Sequence, residues 1–202
     1  MMTRIVTEFG TPIRELAGAL KEGGVIGLAT DTTYALVSSL NSRDGVEHLR
    51  EMRHLPPSKP LALLLPDLAE ISRYAYVDRI AYRIMKRCTP GCYTFILRAT
   101  KEVPRMTLTK QRTVGIRVCG KKIINALCMA LEAPLISASA VTDEDGYAET
   151  AEDVARHYPD LACVIDSGIV QTEASTILDL TGVQPVVLRS GSGAVEEALA
   201  TF

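Results

Sequence analysis

An apolar run, Val25-Ile26-Gly27-Leu28, stops in mid-course at four polar side chains, Thr30-Asp31-Thr32-Thr33, and resumes as Tyr34-Ala35-Leu36. Gly23 and Gly24 end the helical segment before it, and the run itself is of buried-strand type. Hydroxyls and a carboxylate set into such a run are tolerated only where each finds a partner. Two arrangements meet that condition: a turn capped by Thr30 and Asp31, or a strand whose polar end opens into a binding site. Both stay open on this stretch alone.

The chain has 202 residues, 47% of them hydrophobic, enough to bury one large core, and one domain over residues 1–202 is expected. No apolar run is long enough to span a bilayer, and Met1-Met2-Thr3-Arg4 does not begin a leader pattern, so a soluble, cytoplasmic protein with no membrane association is expected. Cys88, Cys92, Cys119, Cys128 and Cys163 are odd in number and show no paired spacing, which reads as buried thiols. His48, His54 and His157 form no ligand pattern with one another or with the cysteines, so no metal site is expected.

The net charge of −2 conceals an asymmetry. Of 22 basic and 24 acidic residues, 16 and 5 fall between positions 50 and 122, leaving 6 and 19 elsewhere. A basic block in an acidic frame argues for an anionic partner. Its cations are interleaved with apolar residues and are expected to gather on one face around a cavity mouth.

Thr11 to Glu22 reads as a first helix with Pro12 in its first turn, and Ser42 to Met52 as a second with Ser42 as its cap. Leu55-Pro56-Pro57-Ser58-Lys59-Pro60 is a loop, and it delivers the chain into the apolar strand Leu61 to Leu65. Asp67 to Tyr74 and Asp78 to Arg87 read as short helices, the latter with Ile80, Ile84 and the tyrosines as its apolar face. Tyr93 to Leu97 and Thr113 to Val118 are strands, and alternation in the second puts Thr113, Gly115 and Arg117 on one side. A guanidinium in mid-strand needs an anionic partner, and none lies beside Arg117 in sequence. Lys121 to Leu131 is helical. Pro134 to Ala140 repeats the theme of an apolar strand ending in hydroxyls, at Ser137 and Ser139. An acidic loop from Thr142, a helix at Ala151 to His157, and strands at Leu161–Ile165, Ser175–Leu180 and Pro185–Leu188 follow. Arg189-Ser190-Gly191-Ser192-Gly193 then leads into a last helix, its amides serving either as an anion cradle or as a plain cap.

These elements describe an α/β sheet with helices packed over it, though not a simple doubly wound one. Neither a G-x-x-x-x-G-K-[ST] loop nor a strand-linked G-x-G-x-x-G is present. The residues alone stop at an α/β protein with a basic, hydroxyl-lined anion site.

Thr30-Asp31-Thr32-Thr33-Tyr34-Ala35-Leu36 resembles the P-T-D-T-x-Y-G-L segment of the YrdC-like family, the threonylcarbamoyl-adenylate synthases of tRNA modification. Lys59-Pro60-Leu61, Pro90-Gly91-Cys92-Tyr93-Thr94-Phe95, Thr113 to Val118, Pro134 to Ser139, Ser175-Thr176-Ile177-Leu178-Asp179 and Leu188-Arg189-Ser190-Gly191 follow in the family's order. Arg53-His54-Leu55-Pro56, in place of K-x-R-P, resembles the YciO branch. The resemblance implies a twisted mixed sheet flanked by helices with a basic central cavity. It also implies a nucleotidyltransferase that condenses L-threonine, bicarbonate or CO2, and ATP, with Mg2+ carried by the ATP, to threonylcarbamoyl-AMP and pyrophosphate. By matched position, Thr32, Arg117, Ser137 and Ser175 resemble the threonine set. Arg53, Thr113, Ser139 and Arg189 resemble the nucleotide set, with Lys59 as a further phosphate contact; Arg53, Lys59 and Arg117 are the catalytic cations. Leu55, Leu64 and Val141 replace a basic residue, a histidine and an asparagine of the family, so the phosphate end is depleted; Arg50, one turn earlier, is the candidate to compensate. The alternative is a module of the same fold that binds double-stranded RNA or tRNA through its basic block, with little or no synthase activity.

Overall fold

The computed structural model describes residues 3–8, 10, 12–142, 146–170 and 172–200. Thr11 and the acidic loop residues 143–145 lie outside the described residues. In chain order the elements are β1 (Ile5–Thr7), α1 (Ile13–Lys21), β2 (Ile26–Ala29), β3 (Tyr34–Ser39), α2 (Arg43–Met52), β4 (Ala62–Leu65), α3 (Ile71–Tyr74), β5 (Ala75–Tyr76) and α4 (Arg79–Cys88). They continue as β6 (Tyr93–Ala99), β7 (Thr113–Val118), α5 (Lys122–Leu131), β8 (Leu135–Ser139), α6 (Ala151–His157), β9 (Cys163–Asp166), β10 (Thr176–Asp179), β11 (Val186–Arg189) and α7 (Val195–Leu199). The strands form one mixed sheet in the order β1-β9-β2-β3-β8-β4-β7-β6-β10-β11, with β5 paired to β6.

Several helices start where side chains can satisfy their first amides. Ser42 accepts from Gly45 N, Asp78 from Ala81 N and Thr150 from Asp153 N. The expected face of α4 is corrected. Ala81, Ile84, Met85 and Cys88 are buried, whereas Ile80 and Tyr82 are exposed. The buried set repeats at one helical stripe, and Ile80 and Tyr82 flank it on either side despite their bulk. β1 and β5 went unanticipated because strands of three and two residues carry almost no periodicity.

Residues paired directly across neighbouring strands share a face, and faces alternate along each strand. The pairings Ser137 with Ala62, Ala62 with Gly115, and Gly115 with Ile96 therefore define one row on one face. By alternation Ser139, Thr113, Arg117 and Thr94 share that face, as does Arg189, paired with Ile177 opposite Thr94. α1 and α5 cover this face over β2, β3 and the end of β4, burying Leu20, Leu28, Val37, Leu64, Ile124 and Leu127 together. Beyond Leu64 the face turns polar. On the other face Leu63, Phe95, Ile116 and Leu178 meet Leu49 of α2, Ile84 of α4, Val154 of α6 and Ala198 of α7 in the larger core.

This division sorts the basic block. Arg117, Thr113 and Arg98 lie on the polar face, while α4, with Arg79, Arg83 and Lys86, is seated on the opposite one. The block's cations thus do not gather on a single face, because α4 uses its apolar stripe to cover the far side of the sheet.

Gly27 marks a close approach of α6 to the sheet: a Cβ there would stand 2.8 Å from Val154 Cγ1 and 3.2 Å from both Val164 methyls. We expect Gly27→Ala to destabilise the protein by about 1–3 kcal/mol through overpacking, read as a lower urea midpoint at unchanged slope.

Candidate functional site

The turn between β2 and β3 is built by its own hydroxyls. Thr30 Oγ1 donates to Thr33 O at 2.8 Å and accepts the amides of Thr32 and Thr33, and Thr30 N donates to Thr33 O. Thr32, freed by this turn, presents its Oγ1 to Arg117, whose Nη2 donates to it at 3.0 Å and reaches Thr30 Oγ1 at 3.5 Å. The capped-turn reading of Thr-Asp-Thr-Thr describes the local geometry, with Thr30 as the cap, and the same turn holds the Arg117 guanidinium. Asp31 ties the turn to two other loops, its Oδ2 accepting Gly120 N and its carbonyl accepting the Cys92 thiol.

Arg117 is only 7% exposed. Among the described residues it has no carboxylate partner, and its buried Nε makes no hydrogen bond. A guanidinium buried with two hydroxyls on one edge and no partner at Nε is incompletely solvated. Beside it, Thr94 Oγ1 and Ser175 Oγ are 2.8 Å apart, and Arg189 donates from Nε and Nη2 to Ser175 O and from Nη2 to Ser175 Oγ. Arg189 is thereby joined to Ser175, which resembles the threonine set. Ser137 shares the face but donates to Ala62 O. Ala62 and Gly115, between Ser137 and Ile96, leave the floor without bulk.

The remaining candidates lie towards the other end of the face. Arg53 Nε donates to Ser139 O at 2.6 Å, leaving both terminal nitrogens without a hydrogen bond among the described residues. Thr113 shares its hydroxyl with Thr109. Lys59 stands apart, exposed on the proline loop with no side-chain hydrogen bond or ion pair among the described residues. Arg50 does not compensate for Leu55. Only 8% exposed, it donates from Nη1 to the carbonyls of Pro56 and Lys59, so it braces the loop from beneath, and burial lowers its pKa from the ordinary value. Leu55 packs on the main core. Leu64, directly opposite Arg117 in the ladder, is wholly buried under α5, and Val141 exchanges both backbone hydrogen bonds with the Tyr158 hydroxyl.

The anion cradle considered for Ser190 to Gly193 is not free. Gly191 N donates to Thr176 Oγ1 and Ser192 N to Ala174 O, and a Cβ at Gly193 would strike the Tyr93 ring. These glycines serve close packing. Thr94 was not singled out from sequence, because only register shows that the partner of its hydroxyl is Ser175.

Comparison with known proteins accords with this geometry. Residues 18–191 match the model of the Sua5/YciO/YrdC family, described as telomere recombination. The chain belongs to this family. It is 37% identical over 190 residues to YciO of Escherichia coli (strain K12), covering 93% of this chain and 92% of that one. The crystal structure of E. coli YciO superposes with a TM-score of 0.86. Sua5 of Pyrococcus abyssi, in a structure complexed with L-threonine, superposes with a TM-score of 0.87 at 26% identity, covering 98% of this chain and 60% of that one. The threonylcarbamoyl-AMP synthase of P. abyssi is 29% identical over 188 residues, and this chain spans 55% of its length.

No thiol is poised as a nucleophile. Burial pushes Cys88, Cys119, Cys128 and Cys163 up to about 11, and Cys92 is raised by burial and then by the Asp31 carboxylate. The folded state therefore holds these protons more tightly than the unfolded one. Stability is intact below the ordinary thiol value of about 8.5 and falls as pH rises towards about 11. We expect a lower urea midpoint at about pH 10 than at about pH 8, and replacing the four buried cysteines by alanine should flatten that difference.

Proposed function

We propose that the chain is a threonylcarbamoyl-adenylate synthase-like nucleotidyltransferase whose phosphate end is weakened. The reading is carried by Arg117, a buried guanidinium held by the Thr30–Thr32 turn with Nε unpartnered. In it, the carboxylate of L-threonine pairs with Arg117, beside the hydroxyls of Thr32, Ser137, Ser175 and Thr94. The threonine amine takes up bicarbonate or CO2 as a carbamate, whose oxygen attacks the α-phosphate of ATP and expels pyrophosphate. Arg53 and Arg189, with Lys59 from the loop and the hydroxyls of Thr113 and Ser139, face the phosphates and stabilise charge that develops there.

The Mg2+ of this reaction would come with ATP. Among the described residues no group of three or more His, Cys, Asp or Glu is placed to hold a metal. A magnesium ion bound mainly through phosphates and water needs no such cage.

Incubation with threonine, bicarbonate, Mg2+ and ATP should yield pyrophosphate and the adenylate. Arg117→Ala should weaken threonine binding by about 2–5 kcal/mol in calorimetry with an unchanged circular dichroism spectrum; unchanged affinity would place the carboxylate site elsewhere.

The depleted end gives a second test. Leu55→Arg with Val141→Asn restores the family's polar groups, and each ~1.4 kcal/mol of barrier removed gives tenfold in rate. Turnover should rise while threonine affinity stays put. A folded double variant that binds both ligands and turns over no faster would mean that the aliphatic residues serve a different substrate.

A further inference from the structure

Among the described residues the strands carry three cations, Arg98 on β6, Arg117 on β7 and Arg189 on β11, and strand pairing puts all of them on the polar face. Two are engaged. Arg117 donates to Thr32, and Arg189 donates to Ser175. Arg98 is exposed and makes no side-chain hydrogen bond or ion pair among the described residues. The carboxylates on either side of it are occupied: Asp78 caps α4 through Ala81 N, and Asp179 accepts from the amide and hydroxyl of Thr181.

Arg98 pairs directly with Thr113. Thr113 stands two residues before Gly115 and Ser139 two residues beyond Ser137, so both lie one row along from Ser137, Ala62 and Gly115 on the same face. The proline loop that carries Lys59 enters β4 between them, because β4 lies between β8 and β7 in the sheet. At the Ser139 end, Arg53 is tied down through Nε alone. Arg53, Ser139, Thr113 and Arg98 thus form one line across β8, β4, β7 and β6, two hydroxyls with a guanidinium at each end. Four neighbouring strands at about 4.8 Å make it roughly 14 Å long. Tyr76, paired with Arg98, ends the row at the rim of the sheet. Arg117 lies four residues from Thr113 along β7, roughly 13 Å at about 3.3 Å per residue, so this line is separate from the Arg117 turn.

We propose that Arg98 is the terminal-phosphate clamp of this site, holding the β- and γ-phosphates of the nucleotide from β6. The proposal rests on the synthase reading, which lays the phosphates along Arg53, Thr113 and Ser139. A linear polyanion is held best where cations meet both ends of its path, and a guanidinium offers a fork of donors to phosphate oxygens. Arg98 is the strand cation left to close the β6 end. Arg50 is drawn beneath the proline loop, Leu55 carries no charge, and the cations of α4 lie on the opposite side of the sheet. Its distance from Arg117 takes Arg98 away from the threonine carboxylate and from an α-phosphate beside it. When the carbamate oxygen attacks the α-phosphorus, the bond to the bridging oxygen breaks and its electron pair leaves with pyrophosphate. Arg98 faces that developing charge.

The test is isothermal titration calorimetry of the full chain, at low ionic strength with Mg2+, against inorganic pyrophosphate, ATP and AMP. The wild-type protein should bind pyrophosphate and ATP. Arg98→Gln should weaken both roughly 10- to 100-fold, the loss of a charged hydrogen-bond donor, and leave AMP and threonine as in the wild type. Arg98→Lys, which keeps the charge and loses the fork, should fall between the two. Arg83→Gln, on α4 across the sheet, is the control and should change none of these affinities. Arg98 and Arg83 are both exposed, and thermal melts verify folding. Absence of pyrophosphate and ATP binding by the wild type, equal pyrophosphate affinity of wild type and Arg98→Gln, an AMP loss as large as the ATP loss, or an equal effect of Arg83→Gln each overturns the proposal. Threonine binding and adenylate formation judge the synthase reading separately. A chain that holds pyrophosphate through Arg98 and forms no adenylate keeps this clamp and loses that reading.

Discussion

A guanidinium carried into the middle of a sheet must be solvated by something other than water, and the polar half of this sheet is arranged around that demand. Arg117 is held by Thr32, which reaches it because Thr30 closes a tight turn with its own hydroxyl. The turn interrupts the antiparallel pair β2–β3, and Asp31 fastens it to the amide of Gly120 and the thiol of Cys92. Three loops thereby meet over one buried charge. The charge has hydroxyl partners and, among the described residues, no carboxylate, so its burial is only partly compensated.

The sheet makes this possible by treating its two faces differently. One is mostly apolar, with Ser38 and Thr176 its buried hydroxyls, and is covered by α2, α4, α6 and α7. The other is apolar only where α1 and α5 cover it, then carries Ser137, Ser139, Thr113, Thr94, Arg117 and Arg189. Leu64 stands at the frontier, packed under α5 yet directly opposite Arg117. The aliphatic departures from the family pattern are consistent with this layout. Leu64 is core, Leu55 anchors the proline loop against the core, and Arg50 is drawn beneath that loop. In the proposed reading the threonine end keeps its hydroxyls and Arg117, whereas the phosphate end has Arg53, Arg189 and neighbouring hydroxyls, with Lys59 exposed on the loop.

Much of this was legible before any fold was seen. Apolar periodicity located the long helices and strands, Ser42 announced the start of α2, and the polar interruption at Thr30 to Thr33 marked a hydroxyl-built turn, because buried hydroxyls need partners wherever they fall. Arg117 in mid-strand called for a partner, which the fold supplies in the Thr32 hydroxyl, and the order of short motifs pointed to the family. All of these are local properties, decided by neighbours within a few residues. Tertiary structure decided what depends on register and helix phase. Only the pairing of β6 with β7 and β10 places Thr94 beside Ser175 and continues the row from Thr113 to Arg98 and Tyr76. Only the phase of α4 turns Ile80 and Tyr82 outward, and α4 carries its four cations, Arg79, Arg83, Lys86 and Arg87, on the far side of the sheet. A one-residue change of register or a 100° turn of a helix leaves the sequence pattern almost unaltered and exchanges which side chains meet, so those contacts had to await the fold.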